Sequence, residues 1–432
     1  MRKIMDFTGD ILTIILTRLP LKSIATSKLV CKQWKTIMES PFFRELFLSH
    51  HQNSHPSWSL MQSKSSPPKE VVAHYGCKIW GLPRSLGSYV SSFIAARFNT
   101  DKPRHDKVKV LAYTEVGLIL IFVKSNPKKR TYYVANPVSR QCIKLPPLPE
   151  SLLSLTKEGS FEKAALVTRM ENAVVSGYKV VLVQRTYYSN NECILTFIIY
   201  SSETGLWSTN IVQYHLPLVS LSFLDPVCLN RNLHWHGHNL EEQEVVVSID
   251  FYDSDLQHQV IPFPDSDKKP HFGRSCTTSQ GDLMYMNIIS RKKDEGGVEH
   301  KLCVWKLKTL GWQLVSESSR GFLDFPVMMN PFDGNTVYLW SPMCESLASF
   351  NLRNRKTRIH NEPEERSRDG ETMSFVGCDG GEMDTIGFLS ESFFSTFALP
   401  RWLYRIPLPP PSSAVAVSDP SPLKPTTVDR LS

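Results

Sequence analysis

No run of this chain approaches the roughly twenty consecutive apolar residues that a membrane-spanning helix requires, so a soluble chain is expected. Arg2 and Lys3 precede apolar residues, but Asp6, Asp10 and Arg18 interrupt them and no small-residue cleavage site follows. A secretory leader is therefore not expected. Cysteine is sparse and odd in number. The nine residues lie irregularly from Cys31 to Cys378 without a C-x-x-C pair, which argues for free thiols in the reducing cytosol or nucleus. Basic residues outnumber acidic ones by only 49 to 42, and no long Lys/Arg run occurs, so a nucleic-acid partner is not indicated. Also missing are G-x-S-x-G, H-E-x-x-H, G-x-x-x-x-G-K-[ST] and G-x-G-x-x-G. Those arrangements expose a nucleophile, hold a zinc ion or cradle a phosphate. No catalytic residue, cofactor or metal ligand is assigned. The Gly296-Gly297 pair, which closes the charged string from Arg291, reads as a solvated hairpin tip.

What is present begins with two amphipathic stripes. Thr8 reads as an N-cap, Asp10 adds negative charge to the first turn, and Phe7 sits where it could staple onto Leu12. Ile11, Leu12, Ile15, Leu16 and Leu19 then form one apolar face of a helix of about three turns, which Pro20 stops. Val30, Trp34, Ile37 and Met38 repeat at i, i+4, i+7 and i+8 until Ser40-Pro41 ends a later helix. Fewer than fifty residues of short helices have too little interior to bury both stripes, so apolar surface is expected to face a partner.

These residues resemble the F-box, with Leu19-Pro20, Lys22-Ser23, Val30-Cys31-Lys32-Gln33-Trp34 and Ser40-Pro41-Phe42-Phe43 standing where that family carries its motifs. Phe7-Thr8 and Thr26-Ser27 depart from the usual Leu-Pro and Arg-plus-apolar pairs. The resemblance implies docking to a Skp-type adaptor, which holds a cullin and its RING partner. Ile11, Ile15, Leu19, Pro20, Val30 and Trp34 are the expected adaptor contacts. It also makes Cys31 a buried packing residue rather than a carrier of ubiquitin.

A chain of 432 residues, 41% hydrophobic and 10% aromatic, has material for two or more domains. Residues 51–70, rich in His, Ser and Pro, read as a linker after a helical module over 1–50. From 71 to 400 the pattern becomes β, without strong helical runs, in strings such as GLILIFV, YKVVLVQR and EVVVSIDFY. Strand openings recur about every fifty residues at Asn232-Leu233, Asp282-Leu283 and Thr336-Val337, and Trp207 and Trp312 follow the polar turn in two of the hairpins. This repeat is the pattern of propeller blades, with a β-sandwich as the alternative. Tyr132-Tyr133-Val134-Ala135-Asn136-Pro137 and Leu145-Pro146-Pro147-Leu148-Pro149 make the region similar to the F-box-associated and kelch-type domains of plant F-box proteins.

The expected fold is thus multidomain, an α-helical F-box followed by an all-β, kelch-like propeller of about six blades. A Pro/Ser-rich tail over 401–432 is expected to be disordered. His234, His236 and His238 alternate on one strand face as metal ligands do, but they fall on a repeated blade strand and read as blade residues. By resemblance the chain would be the substrate-recognition subunit of a Skp–cullin–F-box ubiquitin ligase, itself without catalysis. The alternatives are an F-box protein acting outside degradation and a propeller enzyme or ligand sensor using its central channel.

Overall fold

The computed structural model describes residues 9–410 apart from 63–66, 99–106, 127–128, 154–162, 188–192, 215–219, 222–225, 240, 242, 254–257, 266–274, 293–297, 310, 321–323, 342–345, 360–363, 367–371 and 376–393. Phe7, Thr8, the Gly296-Gly297 pair and the tail beyond 410 lie outside the described residues. Four short helices open the chain: α1 (Gly9–Leu16), α2 (Leu21–Ser27), α3 (Lys32–Glu39) and α4 (Pro41–His50). The first is shorter than its stripe suggested, because Arg18 and Leu19 donate to Ile15 and Leu16 in tighter i to i−3 bonds before Pro20 turns extended. Ser40 separates α3 from α4. Its hydroxyl accepts from the Phe43 amide at 3.1 Å, and Pro41 opens the next helix, where its missing N–H costs nothing. Cys31 is exposed instead of buried: it precedes α3 as N-cap, off the apolar stripe, and its Sγ accepts from the Trp34 amide.

The β region is a propeller of six antiparallel sheets, in which blades 1 to 5 span 107–144, 163–214, 220–262, 275–320 and 325–359. In blade 3 the first strand is split into Ser220–Leu221 and Val227–Leu229, both paired to Asn232–His238. Blade 6 closes the ring with strands from both ends of the chain. Phe394–Ala398 pairs with Trp58–Gln62, which pairs with Lys69–Tyr75, followed by Thr372–Phe375 and Glu364–Arg366. The interval expected to be a linker therefore contains a central strand. Its composition misleads because the strand is only five residues long and flanked by Ser and Pro. Trp58 and Leu60 fill the core against blade 5, while Met61 faces the other way.

Each blade buries both faces against its neighbours, which explains why strands such as Ile119–Asn126 read as nearly continuous apolar runs. Leu118 and Leu120 pack toward blade 2, whereas Ile119, Ile121 and Val123 pack toward blade 6. The same alternation puts Val180 and Leu182 toward blade 1, and Val181 and Val183 toward blade 3. Indole hydrogen bonds tie outer strands together: Trp207 Nε1 donates to the Pro146 carbonyl at 2.9 Å and Trp312 Nε1 to the Pro262 carbonyl at 3.0 Å.

Besides a single helical turn at Glu150–Leu153 between blades 1 and 2, one longer helix interrupts the β region, contrary to expectation. This is α5 (Leu86–Phe98), inserted after the third strand of blade 6. The Glu70 carboxylate accepts from the Gly87 amide at 2.8 Å in its first turn, where the helix dipole favours a negative group. Burial nevertheless pushes the Glu70 carboxyl above the ordinary carboxylate range, partly offset by the hydrogen bond from the Gly87 amide.

The core between blades 6 and 1 differs from the other five. Leu12, Leu16, Leu21, Ile24, Met38, Phe43 and Phe47 of the helical module join Trp80, Val90 and Phe93, the blade residues Ile119 and Phe397, and Trp402 in one continuous cluster. Trp402 belongs to a strap over 399–410 that crosses from blade 6 over blade 1. Tyr404 donates its hydroxyl to the Val116 carbonyl at 2.6 Å, and Ile406 donates its amide to Gln141 Oε1 at 2.9 Å. The strap ends with Pro409 against Gly205, whose positive φ and missing Cβ admit it. The start of the expected tail is thus packed.

Replacing Trp402 with Ala removes the ring that packs 6.1 Å from Phe43 and 5.2 Å from Phe47. It is expected to cost about 3–5 kcal/mol. Hydrogen exchange should register the same loss in α2 and in the strand Ile119–Asn126. Loss confined to one of the two would contradict a shared core.

Candidate functional site

Two surfaces carry features that packing does not explain. The first is the outer side of the helical module. α1 turns Leu12 and Leu16 inward and leaves Ile11, Ile14 and Ile15 about half exposed, at 48, 51 and 48%. Their i, i+3, i+4 spacing puts all three on one helix face. Leu29 and Val30, at the turn between α2 and α3, are 86 and 63% exposed, and Phe42 is exposed while its neighbour Phe43 is buried. So many large apolar side chains on about forty residues are unusual for a surface facing only water.

The six expected contacts divide into two groups. Ile11, Ile15 and Val30 lie on the exposed side. Leu19 and Trp34 instead pack partly buried against the shared core. Pro20 faces the propeller, where Gly81 has φ +59° and an added Cβ would come within 2.9 Å of the Pro20 ring. The Leu21 amide donates to the Ile79 carbonyl at 2.7 Å at the same joint. Ile14, Leu29 and Phe42 were missed. The signal for Ile14 was its place one turn after Ile11. Phe42 could have been found from the Ser-Pro cap, because consecutive residues at a helix start point in different directions and only one Phe can turn inward.

Chain direction fixes where this module sits. The segments entering Trp58, leaving Tyr75 and leaving Ala398 emerge at one end of blade 6, the end of the first-to-second and third-to-fourth strand turns. The opposite end carries the second-to-third turns and the links between blades.

The second surface is the channel along the propeller axis, a cavity of about 640 Å³ walled by strands of the six blades. Glu115 and Thr278 line it, and the Thr278 hydroxyl donates to Glu115 Oε1. Burial drives the Glu115 carboxyl upward, the hydrogen bond opposing it. Burial likewise pushes the Cys228 thiol up to about 12, reinforced by the negative charge of Glu115. Cys228 is thus a poor nucleophile at neutral pH. His234 is 8% exposed and its Nδ1 has no hydrogen-bond partner among the described residues. His236 instead meets Glu244 Oε1 at 3.3 Å and the Phe263 ring, and stacks on His238. The alternating histidines are blade 3 residues, with His236 and His238 stacked on each other, and among the described residues no group of three His, Cys, Asp or Glu converges as a metal site would.

Burial lowers the His234 pKa from 6.5 to about 4, so the folded chain resists a proton that the unfolded chain accepts. Stability from this residue is complete above pH 6.5 and is lost as pH falls toward about 4, by about 3 kcal/mol over the window. Urea unfolding of the wild type and His234→Gln across this range should show a shallower acid slope in the variant. Parallel slopes would contradict the assignment.

Comparison with known proteins agrees with both halves of this architecture. The F-box domain family matches residues 4–46, and the family described as "F-box protein At3g26010-like, beta-propeller" matches residues 56–408. F-box protein At3g28330 of Arabidopsis thaliana is 45% identical over 417 residues, covering 94% of this chain and 97% of its own length. F-box protein At3g26010 of the same plant is 33% identical, covering 93% and 91%. F-box protein At1g49990 is also 33% identical, covering 92% and 97%. The helices and the six-bladed ring that share one core are thus those of a known pairing, and the chain belongs to the F-box proteins with an At3g26010-like β-propeller.

Proposed function

We propose that this chain is the substrate-recognition subunit of a Skp–cullin–F-box ubiquitin ligase acting in the cytoplasm or nucleus. In this reading Ile11, Ile15 and Val30, with Ile14, Leu29 and Phe42, dock the Skp-type adaptor, which brings cullin and RING subunits. The exposed apolar face of the F-box helices carries the proposal, since burial of such side chains is the main favourable term in association. Leu19, Pro20 and Trp34 hold the F-box against the propeller and support the docking face from beneath. The target binds at the end of the propeller opposite the F-box, through the second-to-third strand turns and the inter-blade links. Loops there vary without disturbing the blades.

No side chain of this subunit takes part in the chemistry. Its contribution is proximity: a lysine of the bound target is held near the conjugating enzyme at high effective concentration. A receptor of this kind gains from a stiff connection between its two surfaces, and the shared core supplies one.

Substituting Asp for Ile11, Ile15 and Val30 together should leave unfolding within about 0.5 kcal/mol per site, as usual for exposed positions. Capture of a recombinant Skp-type adaptor should weaken by more than about 2 kcal/mol. Ala at Leu19 and Pro20 should do the reverse, lowering stability first. Undiminished capture by the triple variant would refute the docking face, and adaptor capture without cullin in cells would favour a role outside degradation.

A further inference from the structure

The axial channel has a chemical asymmetry that neither the ring nor the F-box explains. Its volume of about 640 Å³ lies within the range of small-molecule pockets. Much of the wall is apolar, with Leu60, Leu111, Ala165, Val227, Phe325 and Pro326 contributing. Among the described lining residues Glu115 is the one carboxyl and Arg231 the one permanent cation, and Arg231 is engaged 3.2 Å from Asp250. The Thr278 hydroxyl is the one donor to Glu115 among the described residues, and no cation pairs with it there. Glu115 is half-buried in this wall, so its carboxyl is partly desolvated with no cation among the described residues to compensate.

We propose that the channel is a binding site for a small molecule carrying a primary ammonium on an apolar body, with Glu115 as its counter-ion. An ammonium offers three donors and a full positive charge, so it restores Glu115 to a paired carboxylate in surroundings where such a bond is strong. An alcohol gains only a neutral hydrogen bond. A carboxylate is repelled by the like charge of Glu115. The apolar body is matched by the aliphatic and aromatic wall. Glu115 lies in the first-to-second strand turn of blade 1, so the ammonium would sit toward the F-box end of the channel.

Calorimetry on the full chain with phenethylammonium, phenethyl alcohol and hydrocinnamate compares three head groups on one stem. The ammonium is expected to bind at least about tenfold more tightly than the alcohol, and the carboxylate not measurably. In Glu115→Gln, which keeps shape and an acceptor for Thr278, the ammonium should fall to the level of the alcohol. Equal binding of all three by the wild type, no binding of the ammonium, or a preference that survives in Glu115→Gln would each overturn the proposal. The wild-type series decides by itself should the variant fail to fold.

Discussion

Everything distinctive in this protein depends on the apolar core between blades 6 and 1. Five of the inter-blade cores join two sheets, whereas this one also takes in four F-box helices, α5 and Trp402 of the strap. A short helical module has little interior of its own. Here Leu12, Leu16, Phe43 and Phe47 find their burial in the seam of a propeller. The seam in turn gains a lid at the point where both ends of the chain meet. Ring closure and F-box attachment are therefore one interaction.

This arrangement determines what each surface is free to do. The faces of α1 and α4 that carry Leu12, Leu16, Phe43 and Phe47 are committed to the seam, so Ile11, Ile14, Ile15 and Phe42 are left outward. Contacts at the joint are polar as well as apolar. Trp80 Nε1 donates to the Pro400 carbonyl at 2.7 Å, Arg401 donates to the carbonyls of Gln52 and Ser54, and His51 Nε2 donates to the Thr17 carbonyl at 3.1 Å. The bonds of Trp80 and Arg401 link segments more than three hundred residues apart, and all of these bonds fix orientation more than they add stability. The F-box thus sits at a set angle to the blade axis.

Much of this was legible in the sequence, for reasons that are local. The two stripes of the F-box and the Ser40-Pro41 cap use rules of spacing that hold wherever a helix lies. The hairpins repeat because every blade solves the same packing problem. What escaped depends on partners far away in the chain. Trp58–Gln62 looks like part of a linker until Phe394–Ala398 pairs with it. The helix α5 had a readable stripe in Leu86, Val90, Phe93 and Ile94, with the Ser85 hydroxyl accepting from the Ser88 amide, but Gly87 and several serines obscured it. Leu19 and Pro20 were assigned to a partner because an apolar stripe does not say which neighbour covers it, and here the neighbour is the chain's own propeller. The channel was considered only through the alternating histidines. Glu115 lies in an ordinary strand turn, and only ring closure brings Thr278, which is 163 residues away, to it.

The most direct test of a fixed F-box is a distance measured across the joint. Spin labels at Lys22→Cys on α2 and Val315→Cys on the outer strand of blade 4, with Cys31→Ser removing the one exposed thiol among the described residues, use positions open to solvent. Pulsed dipolar spectroscopy should give a single narrow distance distribution that does not change when the adaptor binds. A broad or bimodal distribution, or one that narrows only in the complex, would mean that the helices hang from a linker and that the seam does not hold them.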